Sequence, residues 1–203
     1  MNGYYNMSSY NTYCAIIDYG MGNLFSVKNA CEYVGLSSMV TNSINEINDA
    51  SILILPGVGG FKGAMDSLNN LNLVDSIIKF SHSGKPIIGI CLGMQLLFEK
   101  SYEFGQHRGL GLIKGSVIKF DINIGLKVPH IGWNKIIKAN YNWKNSYLKG
   151  LKNQTTMYFV HSFFCEPSDK SVILSKTEYG EKIFCSTLIK DNIFGVQFHP
   201  EKS

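Results

Sequence analysis

The chain has 203 residues, a formal net charge of +4 and 45% hydrophobic residues, ordinary values for a globular protein with one full core. Its lysines, such as Lys100, Lys114, Lys135, Lys152 and Lys190, are scattered, so no nucleic-acid site is indicated. No apolar run approaches the roughly 20 residues of a membrane span. Cys14, Cys31, Cys91, Cys165 and Cys185 are odd in number and none has C-x-x-C spacing. Neither a disulfide framework nor a zinc site is expected, and a reducing, cytoplasmic setting fits.

Residues 1–11 are polar and rich in Asn, Ser and Tyr, and are expected to form a disordered lead-in without signal-peptide character. A single domain is expected over residues 12–203. Tyr13 to Ile17 suits a short buried strand, followed by the glycine-rich turn Asp18 to Asn23. Leu24, Val27, Ala30, Cys31 and Val34 then share one face of a helix that Gly35 stops. The grammar repeats: strand Ser51 to Leu55, glycine turn Pro56 to Gly60, helices around Ala64 to Leu68 and Val74 to Phe80, strand Pro86 to Ile90, helix Leu92 to Glu99. Alternating strands and helices imply an α/β fold, a doubly wound, mostly parallel sheet covered on both faces. Later strand-like runs at Val117 to Phe120, Thr156 to Val160, Ser171 to Leu174, Ile183 to Leu188 and Ile193 to Phe198 suggest antiparallel additions to that sheet.

Gly89-Ile90-Cys91-Leu92-Gly93 has the G-x-nucleophile-x-G form of a strand-to-helix elbow. Flanking glycines let the chain crowd without Cβ clashes, and the following helix N-terminus favours thiolate. The competing reading is a structural cysteine, since free cysteines are usually buried. A cysteine nucleophile needs a base and an orienting group. Gln197-Phe198-His199-Pro200-Glu201 offers both, and in extended chain His199 and Glu201 emerge on one side. His82 and His107 sit in polar sequence and are weaker candidates. Leu55-Pro56-Gly57-Val58-Gly59-Gly60 lacks the Lys and Ser/Thr of a P-loop and has the wrong spacing for a dinucleotide turn. It is either an oxyanion donor, through the amide of Val58 or Gly59, or a tight turn and nothing more.

Together these runs resemble the class I glutamine amidotransferases. With Pro129-His130-Ile131-Gly132-Trp133-Asn134, Tyr158-Phe159-Val160-His161-Ser162 and the terminal Lys202-Ser203, they are similar to the glutaminase subunits of imidazole glycerol phosphate synthase. The resemblance implies a flavodoxin-like sheet and a Cys91–His199–Glu201 triad. It implies an oxyanion hole from Val58, Gly59 and the Leu92 amide, and a glutamine pocket from Gly57, Gln95, Glu103, His161, Ser162 and Phe163. The family often has Tyr at the position of Phe163.

The resemblance implies no metal or cofactor. It also implies a heterodimer with a (β/α)₈-barrel cyclase that takes the ammonia in histidine biosynthesis. Gly20, Met21, Asn23, Pro129, His130, Trp133, Asn134 and Lys202 match its docking positions, with Trp133 on a flexible loop. Members usually continue past the Glu equivalent to Glu201, so either the turn bearing His199 and Glu201 is less well held here or the sequence is cut short, and less than full activity is expected. Alternatives are a paralogue that supplies ammonia to a barrel partner amidating an amino sugar, a stand-alone cysteine hydrolase, and a non-catalytic binding subunit.

Overall fold

The computed structural model describes residues 12–121, 127–139 and 143–203; the expected tail at 1–11 lies outside the described residues. β1 (Cys14–Ile17) is followed by α1 (Leu24–Tyr33), β2 (Ser38–Thr41), α2 (Ile44–Asp49), β3 (Ile52–Leu55), α3 (Phe61–Asn70), α4 (Val74–His82), β4 (Ile87–Ile90) and α5 (Leu92–Leu96). The remainder is mainly strands: β5 (Phe98–Ser101), β6 (His107–Arg108), β7 (Ile113–Lys119), β8 (His130–Lys135), β9 (Ile137–Lys138), β10 (Thr156–His161), β11 (Phe163–Pro167), β12 (Ile173–Tyr179), β13 (Lys182–Lys190) and β14 (Ile193–Val196).

The main sheet has the order β2-β1-β3-β4-β14-β13-β12-β9. Its first five strands are parallel, and β13, β12 and β9 extend it antiparallel. With β14 as the fifth strand this is the flavodoxin-like order, in which ligands gather beyond the carboxyl ends of the strands. The strands are short apolar runs because both faces are covered. In β1, Ala15 and Ile17 pack into a core with α2, α3, α4 and α5, while Cys14 and Ile16 pack into one with α1, β10 and β12.

Several expectations need correction. β2 and α2 carry too little apolar periodicity to stand out, since Met39 and Ile44 are exposed and only Thr41 and Ile47 are buried. Val34 caps the end of α1 and is 72% exposed instead of sharing the buried face with Val27 and Cys31. The helix after Cys91 stops at Leu96, because Phe98 and Lys100 pair with β7. The antiparallel additions are also only part of the second half, and the run from Ile193, expected among them, joins the sheet parallel to β4 and stops at Val196. β8 and β10 form a separate two-stranded sheet, and β11, β7, β5 and β6 form a four-stranded one.

Candidate active site

The carboxyl ends of β1, β3, β4 and β14 deliver four loops to one place. Cys91 follows β4 directly, with φ 52° and ψ −107°. This left-handed conformation is strained for a non-glycine residue. The elbow survives because its neighbours lack side chains. A Cβ on Gly93 would lie 1.7 Å from the Leu55 carbonyl oxygen, and one on Gly89 would lie 2.8 Å from the Met94 backbone. The Cys91 amide donates to the Val196 carbonyl (2.8 Å), locking the elbow to β14. Cys91 is only 5% exposed, but its sulfur faces a cleft of about 310 Å³. Val58, Gly59, Leu92, Gln95, Glu103, Pro129, Val160, His161, Ser162 and Phe163 also line it, and its size is at the small end for ligand clefts.

β14 ends at Val196, and the chain then turns so that His199 reaches Cys91. Glu201 lies in a 3-10 turn, Pro200–Lys202, so the pair meets through a turn and not through the alternation of an extended strand. His199 Nδ1 and Glu201 Oε1 are 2.8 Å apart, and both side chains are almost fully buried. The other ring nitrogen, Nε2, is buried without a hydrogen-bond partner. Burial alone would lower the His199 pKa, but the adjacent Cys91 sulfur and the Glu201 carboxylate outweigh it and raise it to about 10.

The turn is not loosely held. His199 N–H donates to the Tyr158 carbonyl (2.9 Å), Tyr158 N–H to Ser203 Oγ (3.0 Å), and Ser203 O–H to the His199 carbonyl (2.6 Å). These bonds fasten the turn to β10.

The other expected residues divide. Gln95, Glu103, His161, Ser162 and Phe163 line the cleft. Glu103 Oε2 accepts the Phe61 amide at the start of α3 (2.5 Å), where a carboxylate also offsets the helix dipole. Gly57 is not a lining residue: a Cβ there would meet Tyr19 Oη at 2.3 Å and Leu92 Cβ at 3.0 Å. Its place is behind the cleft, where close packing demands glycine. Val58 and Gly59 are exposed on the rim, and the Leu92 amide is already paired, weakly, with the Gly57 carbonyl (3.4 Å). Tyr19, whose hydroxyl donates to the Pro56 carbonyl (2.5 Å), ties this loop to the turn after β1. Met21 packs nearby, since added carbons on Gly59 and Gly63 would touch it at 3.7 and 3.1 Å.

The expected docking positions are also sorted. Gly20 and Asn23 are exposed, with Asn23 Oδ1 capping α1 through the Ser26 amide (3.1 Å). Trp133 is on β8, not on a loop, and is 60% exposed beside Ile131 at 54%. Lys202 is exposed with its ammonium 5.7 Å from the centre of the Tyr158 ring. His130, by contrast, is 3% exposed, because alternation on β8 turns it inward against Phe159 and Tyr179. Asn134 turns the same way and donates to the Glu178 carbonyl (2.8 Å). Pro129 lines the cleft, so the cleft rim and β8 are continuous.

Two contributors escaped the sequence reading. The Val160 carbonyl is 3.9 Å from the Cys91 sulfur, and the fully buried Gln197 places its side-chain nitrogen 3.7 Å from it. β14 ends at Val196, so no strand alternation links Gln197 to His199, and nothing in the sequence marked it. Among the described residues, no three His, Cys, Asp or Glu side chains are grouped to hold a metal, and no helix is long and apolar enough to cross a membrane.

The arrangement can carry out nucleophilic attack with proton transfer on a small substrate. The model of the family "Glutamine amidotransferase class-I" matches residues 15–203. The chain is 51% identical to "Imidazole glycerol phosphate synthase subunit HisH" of Aquifex aeolicus over 93% of this chain and 88% of that protein. It is 45% identical to the protein of the same name from Syntrophotalea carbinolica, over 93% of this chain and 92% of that one. A solved structure described as "Crystal structure of glutamine amidotransferase" superposes with a TM-score of 0.71 at 16% identity, covering 92% of this chain and 90% of that one, which speaks for the fold. The chain belongs to the class I glutamine amidotransferase family and, within it, to the HisH subunits of imidazole glycerol phosphate synthase.

Proposed function

We propose that this chain is the glutaminase subunit of a cytoplasmic imidazole glycerol phosphate synthase, releasing ammonia from glutamine for a (β/α)₈-barrel cyclase in histidine biosynthesis. The observation that carries the catalytic part is the buried, unpartnered Nε2 of His199 beside Cys91, with Nδ1 held by Glu201. The names of relatives at 51% and 45% identity support the pathway.

In this reading the Cys91 thiolate attacks the side-chain amide carbon of glutamine. The oxyanion is stabilised by amides of the Val58–Gly59 loop and of Leu92 once the latter leaves the Gly57 carbonyl. His199, protonated, gives its proton to the leaving nitrogen, ammonia departs, and a glutamyl thioester remains. His199 then takes a proton from water, which cleaves the thioester to glutamate and restores the thiolate. Gln95, Glu103 and residues 161–163 hold the substrate. The partner docks on the outward side of β8, where exposed Ile131 and Trp133 offer an aromatic anchor, and the exposed Gly20, Asn23 and Lys202 add to the contact. The Tyr19–Pro56 hydrogen bond gives the turn after β1 a direct hold on the oxyanion loop.

Glutamine hydrolysis measured alone, with the cyclase, and with an amino-sugar-amidating barrel protein tests the reading. Stimulation by the cyclase is expected; stimulation only by the sugar-modifying partner would overturn the pathway.

A further inference from the structure

A chain of two buried amides ends on the Cys91 sulfur. Its polarity follows from its far end. The Phe163 carbonyl oxygen can only accept, so the group of Gln95 that faces it at 3.0 Å is the Nε2 amine. The same nitrogen lies 3.2 Å from the side chain of Gln197, which therefore presents Oε1. That leaves Gln197 Nε2 turned toward Cys91 Sγ, at 3.7 Å. Gln197 is 0% exposed and Gln95 is 6% exposed, so water does not compete for either amide. The Gln197 backbone is fixed as well, its N–H donating to the Ser186 carbonyl (2.9 Å).

We propose that Gln197 is a further catalytic residue: its side-chain amide donates a hydrogen bond to the Cys91 thiolate, and Gln95 fixes that amide in the donating orientation. The inference rests on Cys91 being the nucleophile. A donor aimed at sulfur favours the charged form over the thiol. It acts before attack and again when thioester cleavage regenerates the thiolate. The neutral thiol has its own acceptor, the Val160 carbonyl at 3.9 Å, so the two protonation states use different neighbours. His199 faces the sulfur from the C-terminal turn, Tyr19 from the turn after β1 and Cys165 from β11. Burial holds the last two well above their usual pKa, so both stay neutral near pH 7.

The test is the pH profile of Cys91 alkylation by iodoacetamide in the full chain, resolved by peptide mass spectrometry, for the native protein, Gln197→Met and Gln197→Glu. Gln197→Met removes the donor at nearly constant volume. Its Cys91 midpoint is expected to rise by about one pH unit, with about tenfold slower alkylation below the midpoint. Gln197→Glu keeps the shape and still accepts from Gln95, but it places an oxygen where the N–H was; its midpoint is expected to rise further. With the cyclase present, kcat is expected to fall more than KM changes. Unmoved midpoints in both variants, with native circular dichroism and melting, would overturn the role of Gln197 while leaving the nucleophile assignment intact. In the native protein, Cys91 reacting no faster than Cys165 would instead overturn the nucleophile assignment itself.

Discussion

Two groups of buried histidine lie within the same molecule and are tuned in opposite directions. His199 is 3% exposed and its pKa is raised to about 10. His130 and His161, at 3% and 6% exposed, are lowered to about 4 and about 3. Burial pushes all three the same way, toward the neutral ring. Only His199 has negative partners, the Glu201 carboxylate and the Cys91 sulfur, and they reverse the effect.

His161 Nδ1 lies 2.8 Å from the Phe163 carbonyl, which can only accept, so that nitrogen carries the proton. Its Nε2 then accepts from His130 Nδ1 at 3.2 Å, and His130 Nε2 faces the Asn134 amine at 3.4 Å. This is a neutral hydrogen-bonded file, stacked among Phe120, Phe159 and Phe184. It stiffens the wall of the cleft. The pair at the C-terminal turn is instead built to hold and release a proton.

Putting the same substitution in both places gives the sharpest test. His199→Phe is expected to lower kcat for glutamine hydrolysis by at least about a thousandfold, because the base is gone. His161→Phe keeps the backbone contacts and the aromatic packing, so kcat is expected to change less than about tenfold. Its cost is in stability, about 1–3 kcal/mol by urea unfolding, because His130 Nδ1 is left without its buried partner, while the Phe163 carbonyl keeps the Gln95 amine. Equal losses of kcat would erase the distinction between base and wall.

Glu201→Gln should produce a smaller but still large effect. It keeps a polar group near His199 Nδ1 but removes the charge that favours the imidazolium. A fall in kcat of about a hundredfold to ten-thousandfold is expected, with KM for glutamine little changed. If steady-state kinetics showed KM rising with kcat intact, Glu201 would belong to binding and not to proton transfer.

This distinction was only half legible in the sequence. Cys91 could be read because an elbow requires glycines at fixed offsets, and the clashes that Gly89 and Gly93 avoid are local. β1, β3 and β4 could be read because a strand buried on both faces is a plain apolar run. His130 could not be separated from Trp133. Both lie in one glycine-bearing stretch, and only pairing with β10 sets which side chain faces inward. Likewise β5 follows α5 without punctuation, and its strand state comes from β7, a partner more than ten residues later. The closeness of His199 to Glu201 was read correctly but for the wrong geometric reason, since a 3-10 turn, not an extended strand, joins them. Gln197 was passed over because a buried glutamine has no signature of its own until its partners are known.

The two histidine groups should also shape opposite flanks of the stability profile. His161 has a folded-state pKa of about 3 against 6.5 unfolded. As pH falls from about 6.5 toward 3, the unfolded ring takes up a proton that the folded ring refuses, so stability is lost on the acid side; His130 acts in the same direction. His199 has a folded-state pKa of about 10, so its contribution is complete below 6.5 and is lost as pH rises through 10. Urea unfolding between pH 4 and 10 separates the two. His161→Phe should flatten the acid flank by up to about 1.4 kcal/mol per pH unit, one proton's worth, and leave the alkaline flank unchanged. Glu201→Gln should flatten the alkaline flank alone, because it removes one of the two negative partners that hold the proton on His199. A variant at either site that flattened both flanks would mean that the two groups titrate as one network through the cleft wall, and the division drawn between them would fail.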